Sequence, residues 1–398
     1  MIPSMQKRAL LSTVCASALL AACGGGSSNN NSSTQMGSVS FSMTDAPACG
    51  FDAVNVTVAK VRVHKSTTAG EDDAGWTDVT LNPARKINLL NLTNGVLEPL
   101  GQAPLEAGSY TQTRLVLVAN SADAPFANSV VPSGGVETTL DTPSAVQSGI
   151  KLKHTFDVAP GTLADFTLDF DACKSIVTRG NGSFGLKPVI GVIPNVVSGT
   201  ISGVVGAVPA SARPVISAQI NGVVVKSTVP DANGAFTLAP VVQSAAGAPY
   251  TVVITGDGYA TSVIRGVTVT PKATTVLSTA AVPVAFSPSQ MFSVSGNVLP
   301  VSAQGAVRVV SSEGLAGPLT VKYEAADLVS GAYAVRLPVA FPKSGDYGTG
   351  TLPIAFQSPA PVGAGIQKYT LEASAERFTT QSDEISQSTP SPLNFNLR

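Results

Sequence analysis

A two-residue alternation of apolar and polar side chains constrains the fold of this chain more than any other feature. Val39 and Phe41 alternate with serines, and residues 166–170 alternate between apolar and polar types in the same way. This period places successive side chains on opposite faces of a β-strand. Helical periodicity is too short for more than a turn, at residues 87–92 and 144–149. The pattern therefore predicts an all-β chain.

Two segments predict finer details of the sheets. Val54, Val56 and Val58 share one strand face, and the valines at 61 and 63 continue in the opposite phase. The one-residue slip at Ala59-Lys60 predicts a β-bulge within a continuing strand. Residues 115–118 are apolar on both faces, which predicts a central strand that is covered on both sides.

The N-terminal segment has the features of an export signal. Lys7 and Arg8 precede an apolar run that is too short to span a bilayer comfortably. The run ends in Leu20-Ala21-Ala22-Cys23, which resembles a bacterial lipobox. The resemblance implies a signal peptide over residues 1–22 and a lipid, with acyl chains such as palmitate, on the Cys23 thiol.

A flexible tether over residues 23–37 is predicted to follow the signal peptide. Its glycines, serines and asparagines cannot bury enough apolar surface to fold. Gly24, rather than an aspartate, follows the lipidated position. By resemblance to other lipoproteins, this residue favours anchoring in the outer membrane, on its periplasmic or surface side.

Residues 38–194 are predicted to form the first β domain. Its motifs are Met43-Thr44-Asp45-Ala46-Pro47, the valine-rich strand to His64, Trp76, Gly108 to Leu115, Pro143 to Lys151, Leu168-Asp169-Phe170-Asp171 and Gly185 to Val189. In this order they resemble the bacterial domain-of-unknown-function family 4382. The resemblance implies a secreted or lipid-anchored β domain, and it supplies no catalytic residues.

An internal repeat predicts two further β-sandwich domains of immunoglobulin/transthyretin-like type, over residues 196–285 and 290–398. The matching segments include Gly234 to Leu238 in the first copy and Gly331 to Val335 in the second. The first copy resembles the transthyretin-like regulatory domain of carboxypeptidases, where an Asp-x-x-Gly-x-Phe pattern, Asp231 to Phe236, forms a turn into a core strand. The second copy departs from the pattern by lacking that aspartate and by an insertion over residues 341–365.

Charge and motif content restrict the function classes. The net charge is −1 and only 12% of residues are charged, so no basic surface for nucleic acid is expected. His64 and His154 are the only histidines, and no nucleophile motif accompanies them. We therefore predict no catalytic residues.

The four cysteines predict one disulfide bond. Cys15 leaves with the signal peptide and Cys23 takes the lipid, so Cys49 and Cys173 remain. The bacterial envelope is oxidising, which favours pairing of these two thiols. The alternative is a pair of buried free thiols.

Three aspartates suggest a cation site of the first domain. A Cys49–Cys173 bond would bring Asp45 close to Asp169 and Asp171, and three converging carboxylates repel one another unless a proton or a cation intervenes. Carboxylate oxygens suit Ca²⁺, which is the ion we would expect here. In the alternative interpretation Asp45 caps a turn and the other two are solvated.

We favour a non-catalytic envelope lipoprotein, which binds the membrane through its lipid and acts as a binding or adhesion module or as a structural spacer. Its ligand, a protein or a glycan, is not encoded in a motif. One alternative is a carbohydrate-binding accessory protein that uses Trp76, the single tryptophan. Another is an envelope enzyme that uses the Asp45, Asp169 and Asp171 carboxylates.

The disulfide can be tested by peptide mapping under non-reducing conditions. We expect a peptide pair that joins Cys49 to Cys173 in protein taken from the envelope, because closing so long a loop stabilises a small exported domain by about 2–5 kcal/mol. Recovery of both cysteines as free thiols would contradict the bond.

Overall fold

The computed structural model describes residues 35–45, 50–179, 182–246, 248–303, 305–312, 315, 317–327, 329–358 and 366–398. The predicted all-β fold is confirmed, with several separate sheets. The helices in the described part are short: α1 (Pro143–Gln147), α2 (Ala172–Ser175) and 3-10 turns at Leu89–Leu92, Asn195–Val197, Ala210–Ala212 and Val301–Ala303. Within these ranges, no helix has the length and apolarity needed to cross a membrane.

The first domain is built from two main sheets. Its strands are β1 (Met36–Asp45), β2 (Phe51–His64), β3 (Thr77–Asn88), β4 (Glu98–Glu106), β5 (Gly108–Tyr110), β6 (Gln112–Leu117), β7 (Ser129–Pro132), β8 (Thr138–Asp141), β9 (Ile150–Leu152), β10 (Phe156–Val158), β11 (Leu163–Phe170), β12 (Ile176–Thr178), β13 (Phe184–Leu186) and β14 (Ile190–Pro194). One sheet has the order β14-β11-β1-β4, and β1 runs parallel to β11. The other has the order β12-β13-β8-β7-β2-β6-β9, with β3 also paired to β2, and β5 pairs with β10.

The predicted bulge and the central position of the 115–118 strand are confirmed, although Val116 and Val118 on its second face are only partly buried. The pairing of β2 shifts register between Val58 and Lys60 against both β3 and β6, which is the predicted bulge. Strand β6 lies between β2 and β9, and Leu115 and Leu117 are buried there. Phe41 and Phe166 stack in the core at a ring-centroid distance of 5.9 Å. The alternation of β1 and β11 therefore faces one shared core.

Two further hydrophobic cores follow along the chain. The second region contains β15 (Ser198–Val204), β16 (Val215–Ile220), β17 (Val223–Thr228), β18 (Ala235–Val242), β19 (Tyr250–Thr255), β20 (Ser262–Val267) and β21 (Thr274–Val276), and the third contains β22 (Met291–Leu299), β23 (Ala306–Ser311), β24 (Leu319–Ala325), β25 (Ala332–Pro338), β26 (Lys343–Asp346), β27 (Tyr369–Ser374), β28 (Gln381–Ile385) and β29 (Phe395–Asn396). The sheets have the orders β18-β15-β21 and β17-β16-β19-β20-β26, then β25-β22-β29 and β24-β23-β27-β28.

An aspartate begins the corresponding turn in both copies of the repeat, which corrects one detail of the sequence comparison. Asp231 Oδ1 accepts hydrogen bonds from the N–H groups of Asn233 and Ala235, at 2.9 and 2.8 Å. In the second copy, Asp327 Oδ1 accepts from Val329 and Ser330, at 3.0 and 2.8 Å. The second copy therefore has its aspartate. One extra residue between Asp327 and Gly331 hides it from a fixed-spacing comparison.

The insertion of the second copy packs against the core of the first copy. Strand β26 pairs in parallel with β20 and thereby extends the sheet of the second region. Ile354 is buried in the second core, and Leu352 and Phe356 pack against that core. The insertion therefore joins the second and third regions through both backbone pairing and apolar burial.

Ile354→Ala tests this packing. The lost methylene groups and the residual cavity should destabilise the second core by about 2–5 kcal/mol. Hydrogen exchange should then show faster exchange of the β19 and β20 amides. Val329→Ala, at a position that is 49% exposed, serves as the control and should have little effect. Unchanged protection of β20 in Ile354→Ala would contradict the role of the insertion.

Candidate functional site

The parallel pairing of β1 and β11 brings acidic residues to one end of the first domain. Thr44 lies opposite Asp169, and Asp45 lies opposite Phe170. Asp171 follows directly as the N-cap of α2. Successive residues of a strand face opposite sides, so this register puts the Asp45 side chain on the same face as Phe170 and the Asp169 side chain on the other face. We call Asp45, Asp169, Asp171, Lys174 and Lys226 the junction cluster.

Asp45 is the most deeply buried acid of the junction cluster, with 1% of its surface exposed. Its Oδ1 accepts a hydrogen bond from the N–H of Ala172 at 3.0 Å. Its Oδ2 is buried and has no hydrogen-bond partner among the described residues. Burial raises the pKa of Asp45 well above its usual value, and the negative charges of Asp171 and Asp169 add to that effect. The environment therefore favours a protonated Asp45.

Asp169 pairs with a lysine from the second region. Lys226, on β17, donates from Nζ to Asp169 Oδ1, and the two side chains are only 2% and 14% exposed. Burial raises the pKa of Asp169, although the nearby ammonium of Lys226 acts in the opposite direction. The desolvation of this carboxylate therefore outweighs the stabilisation by its counter-ion.

Asp171 has a structural role at the start of α2. Its Oδ1 accepts from the N–H of Lys174 at 3.1 Å, and its Oδ2 pairs with Lys174 Nζ at 2.5 Å. The same ammonium lies 5.3 Å from the ring centroid of Tyr323 on β24. The junction cluster therefore contacts all three regions of the chain.

The calcium site at the three aspartates stays a prediction, and the ion pairs of the junction cluster argue against it. Two of the three aspartates predicted as ligands have a lysine ammonium as their partner, and a cation would have to replace it. Ca²⁺ takes six to eight oxygen ligands in proteins. In the described ranges, no group of three or more His, Cys, Asp or Glu side chains is placed to hold a metal ion.

Sequence reasoning missed Lys226, although one signal was available. Lys226 and Thr228 of β17 are the buried positions of this strand, and they follow a shift of register against β16 between Val224 and Lys226. A lysine at an inward-facing strand position requires a buried partner. The sequence could not say which carboxylate provides it, because Asp169 is 57 residues away in the chain.

A second contact joins the first and second regions near Lys226. The N–H of Asn94 donates to Thr228 Oγ1 at 2.9 Å, and Asn94 Oδ1 accepts from the N–H of Thr237. Asn94 has a φ of 61°, a left-handed conformation that asparagine tolerates better than most residues. The loop that contains Asn94 therefore binds the second region through hydrogen bonds of its backbone and of its side chain.

Trp76 lies against cations at the other side of the first domain. The guanidinium groups of Arg62 and Arg114 lie 4.5 and 4.7 Å from its ring centroid. The indole N–H donates to the carbonyl of Gly70 at 2.8 Å, and the ring of His64 lies 5.0 Å away. Trp76 is half-buried in this polar stack.

The cysteine predictions fall outside what the structure describes. Cys23 and Cys49 lie outside the described residues, and the side chain of Cys173, within α2, is also outside them. Lipidation of Cys23 and the Cys49–Cys173 bond therefore stay predictions.

The fold defines a multidomain all-β protein, and its first domain matches the model of a family known by sequence. Residues 36–188 match the family model described as "Domain of unknown function (DUF4382)", which confirms the predicted resemblance to this family. No curated protein matches the chain.

Solved structures give only distant similarity. Two are type II cohesin–X-dockerin complexes from Acetivibrio cellulolyticus, an N-terminal and a C-terminal interface mutant, which are 31% and 30% identical to the chain. Those alignments cover 23% and 22% of this chain and 58% and 56% of theirs, with TM-scores of 0.18 and 0.17. The chain therefore spans somewhat more than half of each of these chains.

A third structure is a Ca²⁺-stabilised adhesin with which an Antarctic bacterium binds ice. It is 10% identical, with 87% of this chain and 72% of that chain covered and a TM-score of 0.14. TM-scores at this level carry no argument about function.

Lys226→Met tests the junction cluster. Removing the ammonium leaves the Asp169 carboxylate buried without a counter-ion, so we expect a loss of about 3–5 kcal/mol in unfolding free energy. The loss should shrink at acidic pH, where a proton neutralises Asp169. Lys65→Met is the matched control, because the Lys65–Glu106 pair is 47% and 55% exposed and should contribute at most about 1 kcal/mol. Equal losses in the two variants would contradict the importance of burial.

Proposed function

We propose that this chain is a non-catalytic lipoprotein of the bacterial cell envelope, in which three β-domains held in fixed contact act as a spacer or as a binding module. The N-terminal signal with its lipobox-like end supports the anchor. The Gly/Ser/Asn tether would separate the folded domains from the lipid headgroups. Residue Gly24 favours the outer membrane.

The observation that carries the proposal is the set of buried polar contacts between regions. Gln219 Nε2 donates to the carbonyl of Thr320 at 2.7 Å, and Gln219 Oε1 accepts from the N–H of Thr320 at 2.9 Å. Gln219 has none of its surface exposed. Separating the second and third regions would break both hydrogen bonds between Gln219 and Thr320. Because breaking buried hydrogen bonds costs free energy, these bonds oppose motion between the two domains.

The pairing of strands adds to this connection. Thr320 Oγ1 donates to the carbonyl of Gly222 at 2.6 Å, and β26 of the third region extends the sheet of the second. Together with the Lys226–Asp169 pair, these contacts link consecutive regions at both junctions. A spacer or a binding platform requires this property, because its ligand-binding surfaces must keep their relative positions.

The geometry of the junction cluster favours a structural role over catalysis. An acid or base that acts on a substrate must come within hydrogen-bond reach of it. Asp45 has the most perturbed environment of the three aspartates, but 99% burial keeps an external substrate from its oxygens. Asp169 and Asp171 are engaged by Lys226 and Lys174. This argues against the enzyme alternative.

The carbohydrate-binding alternative depends on a ring surface that Trp76 can offer to a sugar. The guanidinium groups of Arg62 and Arg114 lie over this ring, and its N–H is used by Gly70. A sugar would have to displace these contacts in order to stack. We therefore place the spacer or protein-binding role first.

Cys23→Ser tests the lipid anchor. In cells supplied with labelled palmitate, the wild-type chain should take up the label and sediment with the membranes, whereas Cys23→Ser should lose the label because it has no thiol to acylate. Cys15→Ser is the matched control and should keep the label, since residue 15 leaves with the signal peptide. Labelled Cys23→Ser protein would contradict the proposed anchor.

A further inference from the structure

A polar pocket of about 380 Å³ opens on the first domain beside the end of β9. Its walls come from the loop after β2, from the connection between β5 and β6, and from the segment between β9 and β10. We call it the lysine pocket, and it is lined by Thr67, Thr111, Gln112 and residues 151–155. The walls therefore belong to three parts of the chain that meet only in the folded domain.

The lysine pocket has two cations without a counter-ion. Lys151 and Lys153 are exposed, and neither forms an ion pair with another residue that the structure describes. Other exposed lysines of this domain, such as Lys65 and Lys86, have a carboxylate partner. The residues that line the pocket include no aspartate or glutamate. Two unpaired ammonium groups on one rim favour an anionic ligand.

Hydroxyl groups complete the set of donors. Thr67 and Thr155 are exposed, and within the described part of the chain their hydroxyls make no hydrogen bond. The ring of His154 packs on Phe156 and Phe166, at centroid distances of 5.9 and 4.9 Å, and burial lowers the pKa of this histidine. The positive charge of the pocket therefore comes from the lysines. Ammonium and hydroxyl donors together suit the oxygens of a phosphate group.

Direct contacts connect the lysine pocket to the point where the folded chain begins. The N–H of Ala107 donates to the carbonyl of Gln35 at 2.8 Å. The adjacent Glu106 pairs with Lys65 at 3.0 Å, and the carbonyl of Lys65 accepts from Thr111 Oγ1 at 2.7 Å. Thr111 is itself a wall of the pocket. The pocket and Gln35 therefore lie at the same end of the first domain.

The contact with the second region lies at the other end of this domain. Strand β1 begins at Met36 and has ten residues, which span about 30 Å. Near its far end, Thr44 lies opposite Asp169, the partner of Lys226. The lysine pocket and the junction cluster are thus separated by the length of β1.

The position of Cys23 in the sequence limits the distance between Gln35 and a lipid on that cysteine. Residues 24–34 separate the two positions. A segment of this length spans at most about 40 Å when fully extended. A membrane that holds the lipid therefore stays within this reach of Gln35. Such confinement raises the local concentration of headgroups around the pocket.

We propose that the lysine pocket binds the phosphate of an anionic lipid headgroup, in the same membrane that holds the Cys23 lipid. This inference rests on the proposed lipid anchor. The acyl chains limit only the distance between Cys23 and the bilayer, whereas a headgroup in the pocket also fixes the orientation of the first domain. The second region then lies away from the membrane, because it contacts the first domain at the opposite end.

Acetylation footprinting of the lipidated full chain tests the proposal. The chain is reconstituted in vesicles of phosphatidylcholine, with and without phosphatidylglycerol, and treated with a limiting amount of acetylating reagent. Lys151 and Lys153 should lose most of their reactivity only where phosphatidylglycerol is present, because its phosphate engages their amines. Lys187 is the matched control and should react equally in both vesicles. It is exposed and lies beside α2, near the junction cluster.

Flotation of the same samples distinguishes failure of the anchor from failure of the headgroup site. A chain that floats with neither kind of vesicle would overturn the anchor and the headgroup site together. A chain that floats with both, while Lys151 and Lys153 react equally in both, would overturn the headgroup site alone.

Variants of the chain without lipid give a second test. Residues 24–398 contain the whole compact unit, which begins at Gln35. The double variant Lys151→Gln/Lys153→Gln should bind phosphatidylglycerol vesicles roughly tenfold more weakly than its parent, because each lysine near an anionic surface strengthens binding several-fold. Lys187→Gln should bind like the parent. Equal binding by all three proteins would overturn the proposal.

Two soluble anions distinguish other sources of the same charge. Inorganic phosphate and polygalacturonate are added separately to the chain without lipid in the acetylation assay. Phosphate should protect Lys151 and Lys153 only at high concentration, since it lacks the confinement that the membrane provides, and polygalacturonate should not protect them. Protection by either anion without protection by phosphatidylglycerol vesicles would assign the pocket to free phosphate or to an acidic glycan. Either result would overturn the lipid site.

Discussion

Burial of the Lys226 ammonium against the Asp169 carboxylate is the interaction on which the arrangement of the first two regions depends. Either charge alone in this position would be strongly destabilising, so each requires the other to stay in place. The contact closes only when β17 lies against the end of β11. Long-range docking is thereby specified by a requirement for charge compensation, rather than by apolar contact alone.

The second junction uses different chemistry for the same purpose. The Gln219 amide pairs with both backbone groups of Thr320, and Arg308 pairs with Glu372 at its edge. Beside these polar contacts, Val253, Val263 and Leu319 form a small apolar cluster between the second and third regions. The amide fixes register, since it is satisfied in only one alignment, and the apolar cluster supplies burial.

Local patterns in the sequence determined the strands, the bulge near Lys60 and the central position of β6, because alternation and its phase depend only on neighbouring residues. The motifs of the first domain likewise indicated the family whose model matches it. The closeness of the segments that contain Asp45 and Asp169 was predictable, whereas the placement of the two side chains on opposite faces follows from the parallel register of β1 and β11. Only the tertiary structure decided three other features. These are the pairing of Lys226, the equivalence of Asp327 to Asp231 despite one extra residue in its turn, and the packing of the insertion on the core of the second region. The partner of Lys226 and the core beneath the insertion lie far away in the chain, and a counter-ion or a covering strand leaves no periodic signal near the residue that needs it.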